Sequence, residues 1–123
     1  MTEKAPPTVE EQVLAVLRGT ASLLAKKHVG SRYWGEEALR RTLTIKKSDI
    51  HAHVAKHGLT EDSGVRRQAQ EGICLVRRGD EWVVFYQERG IPFEEGRSSD
   101  EREAIRIATD LLIAVSGLGW LED

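Results

Sequence analysis

Two stretches rich in β-branched and aromatic residues, at positions 73–78 and 82–88, constrain the fold of this chain more than any other feature. Gly79, Asp80 and Glu81 stand between them and favour a tight turn, so the sequence predicts a β-hairpin. Strand side chains alternate between two faces, and both faces of the second strand are mostly apolar. That strand is therefore expected to be covered on both sides, with Val83, Phe85 and Gln87 on one face and Trp82, Val84 and Tyr86 on the other.

The residues after the hairpin predict a third strand and a closing helix. Gly90 ends the second strand, and residues 91–96 return as a strand whose Pro92 favours the edge of the sheet. Ser98, followed three residues later by Glu101, has the pattern of a capping box at the start of a helix. Apolar residues at helical spacing follow, so the chain is expected to end in an amphipathic helix.

The N-terminal half predicts a long first helix. Pro-rich residues 1–7 are expected to form a flexible tail. Thr8 and Glu11 make a capping box, and the apolar spacing that follows predicts a helix over residues 9–28. Gly19 lies inside this helix and weakens it by about 1 kcal/mol relative to alanine.

Shorter elements are predicted between this helix and the hairpin. Residues 36–43 favour a short helix, and a second begins at Ser48 or Asp49 and ends at Gly58. Residues 59–72 are polar and are expected to be mainly loop. The predicted fold is α+β, with a small antiparallel β-meander of about three strands packed against an N-terminal and a C-terminal helix, and shorter helices between.

Length and composition place the chain in a broad class. A chain of 123 residues predicts a single domain, residues 1–123. Its charged fraction is 31%, and its longest nearly apolar run, residues 111–121, is shorter than the roughly 20 residues of a membrane span. The first residues lack the layout of a secretory signal. A single cysteine, Cys74, excludes an internal disulfide, and we expect a cytoplasmic protein in which this thiol is buried.

Charge is distributed unevenly along the sequence. Residues 1–60 contain ten Lys/Arg and six Asp/Glu, whereas residues 61–123 contain eight Lys/Arg and fourteen Asp/Glu. Such a division can steer charged partners. It is equally the pattern of two solvated faces, because surface charge is common in proteins.

The sequence offers no convincing catalytic or metal-binding set. His53 and His57 share a helix face, but no third ligand is identifiable for a metal. Glu94 and Glu95 are adjacent in a predicted strand, so their side chains point to opposite faces rather than at one substrate. We therefore predict no catalytic residue, no metal and no cofactor, and an enzyme is the least supported class.

A winged-helix DNA-binding regulator is the main alternative. A helix at 49–57, a second at 61–70 and the hairpin would outline such a fold. The second helix has almost no apolar face, and Asp80 and Glu81 at the hairpin tip would repel phosphate, so nucleic-acid binding is not favoured. The candidate DNA contacts in this alternative are Arg66, Arg67, Arg77 and Arg78.

Residues 74–90, CLVRRGDEWVVFYQERG, have a pattern that is similar to that of a known protein family. With the acidic residues and the capped helix that follow, they resemble small actinobacterial immunity proteins encoded beside polymorphic toxins. The resemblance spans about residues 48–115. The chain departs from the pattern at Ile91 and Pro92, where polar strand residues are expected, and at Arg97 or Ser98, where an aromatic residue is expected.

The resemblance implies an α+β protein without catalysis of its own. Such a protein neutralises one cognate toxin domain as a 1:1 complex in the producing cell, and would be a monomer or weak dimer when free. An acidic surface would favour association with a basic toxin such as a nuclease. An alternative role for Glu88 and Arg89 is an ion pair that fixes the strand end to the first or last helix. The candidate toxin contacts are Glu88, Arg89, Glu94, Glu95 and Arg97.

Overall fold

The computed structural model describes residues 5–123, so the first four residues of the predicted tail 1–7 lie outside the described part. The chain is α+β, as predicted. No helix in the described range is long and apolar enough to cross a membrane. The helices are α1 Val9–Leu17, α2 Ala21–Val29, α3 Gly35–Thr42, α4 Lys47–His57 and α5 Glu101–Val115. The strands are β1 Val65–Arg66, β2 Gly72–Arg78, β3 Glu81–Glu88 and β4 Ile91–Ser98.

The four strands form one mixed sheet in the order β1-β2-β3-β4. Strands β2, β3 and β4 are antiparallel and make the predicted meander, with Gly79 and Asp80 alone in the turn between β2 and β3. Strand β1 pairs in parallel with β2 and lies within the segment 59–72 that was expected to be mainly loop. A strand of two residues is too short to show an alternation of apolar and polar residues, so the sequence did not indicate this strand.

The main core lies between the sheet and the helices. Ile73, Leu75 and Val84 point into it from the sheet, and Trp82 and Tyr86 pack half-buried against it. Helix α5 packs against all four strands, whereas α1 packs against α2, α4 and α5. The N-terminal helix shares this core with the sheet, because Val13, Val16 and Leu17 of α1 belong to the same buried cluster as the sheet residues, while α5 contacts the strands directly.

A smaller apolar cluster lies on the opposite face of the sheet. Cys74, Val83 and Phe85 are buried there, and Val76 packs against them. The Arg78 guanidinium lies 5.2 Å from the centre of the Phe85 ring and contributes to its cover. The second strand of the hairpin is thus buried on both faces as predicted, with the helices on one face and side chains of the sheet on the other.

The predicted helix 9–28 is two helices, because the chain turns at Gly19. Gly19 has φ of +73°, a left-handed conformation that glycine adopts without steric cost. Its N–H donates to Val16 O, and the Thr20 N–H donates to Ala15 O. These two bonds form a Schellman motif, which ends α1 and allows α2 to begin in a new direction. The capping box of Thr8 and Glu11 is present as predicted.

Two later helices begin away from the predicted caps. Helix α4 has Lys46 at its N-cap, and the Asp49 carboxylate accepts the Lys46 N–H at 2.8 Å, so Asp49 lies one turn inside the helix. Helix α5 is capped by Asp100, whose carboxylate accepts the Arg102 N–H at 3.0 Å. Ser98 is the last residue of β4 and accepts a hydrogen bond from the Asp100 N–H instead.

Candidate interaction surface

All five candidate contact residues belong to the β3–β4 hairpin at one edge of the sheet. Strand β4 is the last strand of the sheet, so its outer backbone edge is unpaired within the described chain. Six of the eight β4 residues are exposed. The hairpin brings Glu88 and Arg89 to its turn, and it places Glu94, Glu95 and Arg97 along the free strand.

The β3–β4 turn is fixed by a residue from outside the hairpin. Arg89 has φ of +53° and Gly90 has φ of +78°, the signs that a two-residue type I′ turn requires. The Glu71 carboxylate accepts the Arg89 N–H at 2.5 Å and the Gly90 N–H at 3.2 Å, and the Gln87 side-chain amide donates to it at 3.3 Å. Neither sequence spacing nor residue type indicated this role for Glu71.

The side chains of Glu88 and Arg89 are exposed and form no ion pair within residues 5–123. The alternative in which they fix the strand end to a helix is therefore wrong, and the turn is instead held to the segment before β2, where the Glu71 carboxylate accepts the two backbone N–H groups. Arg89 is the one non-glycine residue of the described chain with a positive φ. Such a conformation costs an L-residue roughly 1–2 kcal/mol, and strained positions of this kind cluster at functional sites.

Replacing Arg89 by glycine is expected to stabilise the protein. Glycine adopts positive φ without steric cost, so we expect the free energy of unfolding to rise by about 1 kcal/mol in urea titrations. The Arg89→Ala variant removes the same charge and keeps the strain, so it should show no such gain. A glycine variant that is less stable than the parent protein would mean that the guanidinium itself supports the fold.

Arg97 joins two carboxylates on the face of the sheet opposite the helices. Its Nε donates to Glu94 at 2.9 Å and its Nη1 donates to Glu81 at 3.2 Å. The hydrogen bond from Arg97 holds the pKa of the Glu94 carboxyl below its ordinary value, and the nearby positive charge of Arg78 acts in the same direction. The two carboxylates in turn raise the pKa of Arg97. Arg97 and Glu94 therefore present a paired, fully ionised group to a partner.

Glu95 occupies a β-bulge in the free strand. Val84 pairs with Gly96 and Phe85 pairs with Glu94, so Glu95 has no opposite residue in β3. The bulge, the proline at position 92 and the charged side chains are features that keep a sheet edge from pairing with other chains indiscriminately. Glu95 is exposed and, within the described range, its carboxylate has no ion-pair partner.

Two large apolar side chains are exposed on the same strand. Ile91 is 57% exposed and Phe93 is 52% exposed. They lie opposite Glu88 and Tyr86, on the helix-bearing face of the sheet. Ile107 of α5 covers the strand at Gly96, where an added Cβ would lie 3.1 Å from its Cγ2. Ile91 departs from the pattern of the resemblance, and the predicted contacts included neither Ile91 nor Phe93.

The histidines and the single cysteine do not form a metal site in the described chain. Among residues 5–123 no three His, Cys, Asp or Glu side chains converge as a metal site. The rings of His53 and His57 lie with their centres 4.5 Å apart and their planes tilted by 39°. The Cys74 thiol is buried and lies 3.0 Å from the Gln70 carbonyl oxygen, which confirms the predicted burial.

The second helix of the winged-helix alternative does not form. Residues 61–70 contain turns, bends and strand β1 rather than a helix. Arg66 lies in that strand, and Arg67 forms an ion pair with Glu101 at 2.8 Å. Arg77 donates to the Gly79 carbonyl oxygen in the hairpin turn. The residues predicted to form a recognition helix are thus spread along an edge strand and a loop.

Comparison of the chain with protein-family models, with curated proteins and with solved structures finds no match.

Proposed function

We propose that this protein binds a cognate bacterial toxin domain and neutralises it as a 1:1 complex, through the β3–β4 hairpin. The observation that carries the proposal is the exposed apolar pair Ile91 and Phe93 on a free edge strand. Contiguous exposed apolar groups with polar surroundings are typical of protein–protein contacts. No chemistry by this protein is needed, because occupying the toxin surface is sufficient.

The surroundings of the apolar pair favour a basic partner. Around the hairpin there are five carboxylates against three guanidiniums, and the guanidinium of Arg97 is already held by two carboxylates. An acidic rim accelerates association with a basic protein and helps to orient it. The charged groups in question are Glu71, Glu81, Glu88, Glu94, Glu95, Arg78, Arg89 and Arg97.

The rigidity of the hairpin supports the same proposal. Glu71 fixes the turn, and β3 is paired with strands on both sides. A surface that is ordered before binding loses little conformational entropy when the complex forms, so more of the contact energy appears as affinity. We propose that the complex forms in the cytoplasm of the producing cell, with the free protein as a monomer or weak dimer.

The test is co-expression with the reading frames that neighbour this gene, among which the proposal expects one that encodes the toxin. Rescue of growth together with a stoichiometric complex on co-purification is the expected result. Growth arrest that persists while both proteins accumulate without forming a complex would contradict the proposal for that pair. Hydrogen exchange on the purified complex should then show protection along β4 rather than in helix α2, which makes no contact with β4.

Charge reversal tests the acidic rim. Glu88→Lys with Glu95→Lys should slow association with the toxin about tenfold at low salt, because both carboxylates lack internal partners. Added salt should reduce the difference, since the Debye length falls to about 8 Å at 0.15 M. Glu61→Lys with Glu122→Lys makes the same change in net charge at two exposed positions outside the hairpin and serves as the control. Equal association rates for all variants would exclude steering by this rim.

A further inference from the structure

A groove runs between helices α4 and α5, away from the β3–β4 hairpin. Its volume is about 490 Å³, within the range of roughly 300–1,000 Å³ that is usual for sites of small organic ligands. Val54, Ala55 and Gly58 of the α4 side and Ile105 of α5 form an apolar lining. Grooves between helices with a few polar groups at one place are common ligand sites.

Two arginines of α5, Arg102 and Arg106, line the same groove. They lie four residues apart, where like charges destabilise a helix. Elsewhere in this protein the arginines at this spacing face carboxylates, as in Arg40 with Glu36 and Arg41 with Glu37. The Arg102–Arg106 arrangement therefore does not stabilise the helix.

Arg102 also lies in the first turn of α5, at the positive end of the helix dipole. Its neighbours Glu101 and Glu103 have the charge that this position favours. No described carboxylate forms an ion pair with the Arg102 guanidinium, since Glu101 is paired with Arg67 instead. Both the helix dipole and the positive charge of Arg106 repel the Arg102 guanidinium. An anionic ligand would offset this repulsion.

Asp110 limits the positive charge at the far end of the groove. Its Oδ1 lies 2.7 Å from Nε2 of His51, and its Oδ2 accepts from Arg106 at 3.4 Å. Arg106 is thus partly neutralised, whereas Arg102 is not. The positive charge that remains lies at the Arg102 end, beside the apolar surface of Val54 and Ile105.

We propose that this groove binds a small organic anion in which one carboxylate is attached to an apolar body. The carboxylate lies between Arg102 and Arg106, and the apolar body lies along Val54, Ala55 and Ile105. Guanidinium groups suit carboxylates because they offer paired donors in a planar fork. This site is separate from the hairpin, so it does not depend on the proposed toxin contact.

The test is a titration of the full-length protein with decanoate, decylamine and acetate, followed by amide chemical shifts. Decanoate below its micelle concentration should give saturable shifts at Val54, Ala55 and Ile105. Decylamine has the same chain and the opposite charge, and acetate lacks the chain, so both should bind at least about tenfold more weakly. Equal binding of decanoate and decylamine, or decanoate shifts centred elsewhere, would overturn the proposal.

Variants of the groove residues test whether decanoate binding depends on the charges in this groove. Arg102→Gln with Arg106→Gln should weaken decanoate binding at least about tenfold, because charge-assisted hydrogen bonds are lost. Arg66→Gln with Arg89→Gln removes two charges elsewhere and should leave it unchanged. Asp110→Asn should strengthen binding about threefold, because Arg106 loses its internal carboxylate. Loss of decanoate binding in the control pair, or unchanged binding in the groove pair, would contradict the assignment.

Discussion

Replacing Gln12 by leucine is expected to lower the free energy of unfolding by about 3 kcal/mol, although the two side chains are similar in size. Gln12 is 1% exposed within α1. Its Oε1 accepts the N–H groups of Thr44 at 2.8 Å and Ile45 at 3.2 Å, and its Nε2 donates to the Pro7 carbonyl oxygen at 3.0 Å. One amide therefore joins α1 to the segment before it and to the α3–α4 connection.

The leucine variant leaves three backbone groups without their side-chain partner, and the Ile45 N–H among them is buried. Each buried donor or acceptor that loses its partner costs about 1–3 kcal/mol, which exceeds the benefit of a more apolar side chain. Urea unfolding should show a lower midpoint at an unchanged slope. Gln68→Leu, at an exposed loop position, is the matched control and should change stability by less than about 0.5 kcal/mol.

A change in Gln12→Leu no larger than that in Gln68→Leu would show that the backbone at Thr44 and Ile45 finds other partners. A loss of the predicted size would show that the N-terminal helix is held by polar contacts as well as by its apolar side. The sequence contained a signal for this role. Gln12 lies four residues before Val16 and next to Val13, on the apolar side of the helix, where a polar residue must have a partner.

The hairpin was predictable because its signals are local. Alternating apolar residues, a Gly-Asp turn and a proline at the edge each act over a few residues, and the structure has the hairpin and the edge strand where the sequence placed them. The sequence also indicated that Gly19 weakens the predicted helix 9–28. It did not indicate that the helix ends there. A glycine within an apolar helical pattern is compatible with a weakened helix or with a Schellman end, and tertiary packing decides between them.

Long-range features were outside the reach of sequence patterns. Strand β1 exists because Val65 and Arg66 pair with β2, and two residues have no periodicity of their own. Glu71 fixes a turn that lies nearly twenty residues further along the chain. The Arg97 pairs with Glu94 and Glu81 follow from strand register, which a sequence alone does not give. A sequence alone therefore does not separate charged residues that are paired within the fold from those that are free to contact a partner.

The apolar part of the candidate surface was missed for a related reason. Ile91 and Phe93 stand in a strand, where large apolar side chains are ordinarily buried. Their exposure depends on how far α5 extends over β4, and Ile107 covers this strand at Gly96. Only the three-dimensional arrangement separates an exposed apolar pair from a buried one.

Replacing both Ile91 and Phe93 by serine is expected to reduce toxin affinity at least about 100-fold. Large side chains at the centre of an interface often contribute 2 kcal/mol or more each. Both residues are more than half exposed in the free protein, so their loss should change the free energy of unfolding by less than about 1 kcal/mol. Calorimetric titration with the toxin domain measures the affinity, and urea unfolding measures the stability.

The matched control is Leu23→Ser with Val115→Ser, because these residues are 54% and 52% exposed on helices α2 and α5. This pair removes a similar exposed apolar area away from the hairpin and should bind the toxin like the parent protein. If the control pair lost affinity while the hairpin pair kept it, the contact surface would lie on the helices. If the hairpin pair alone lost affinity at unchanged stability, β4 would be the binding strand, since the two variants differ mainly in where the apolar area is removed.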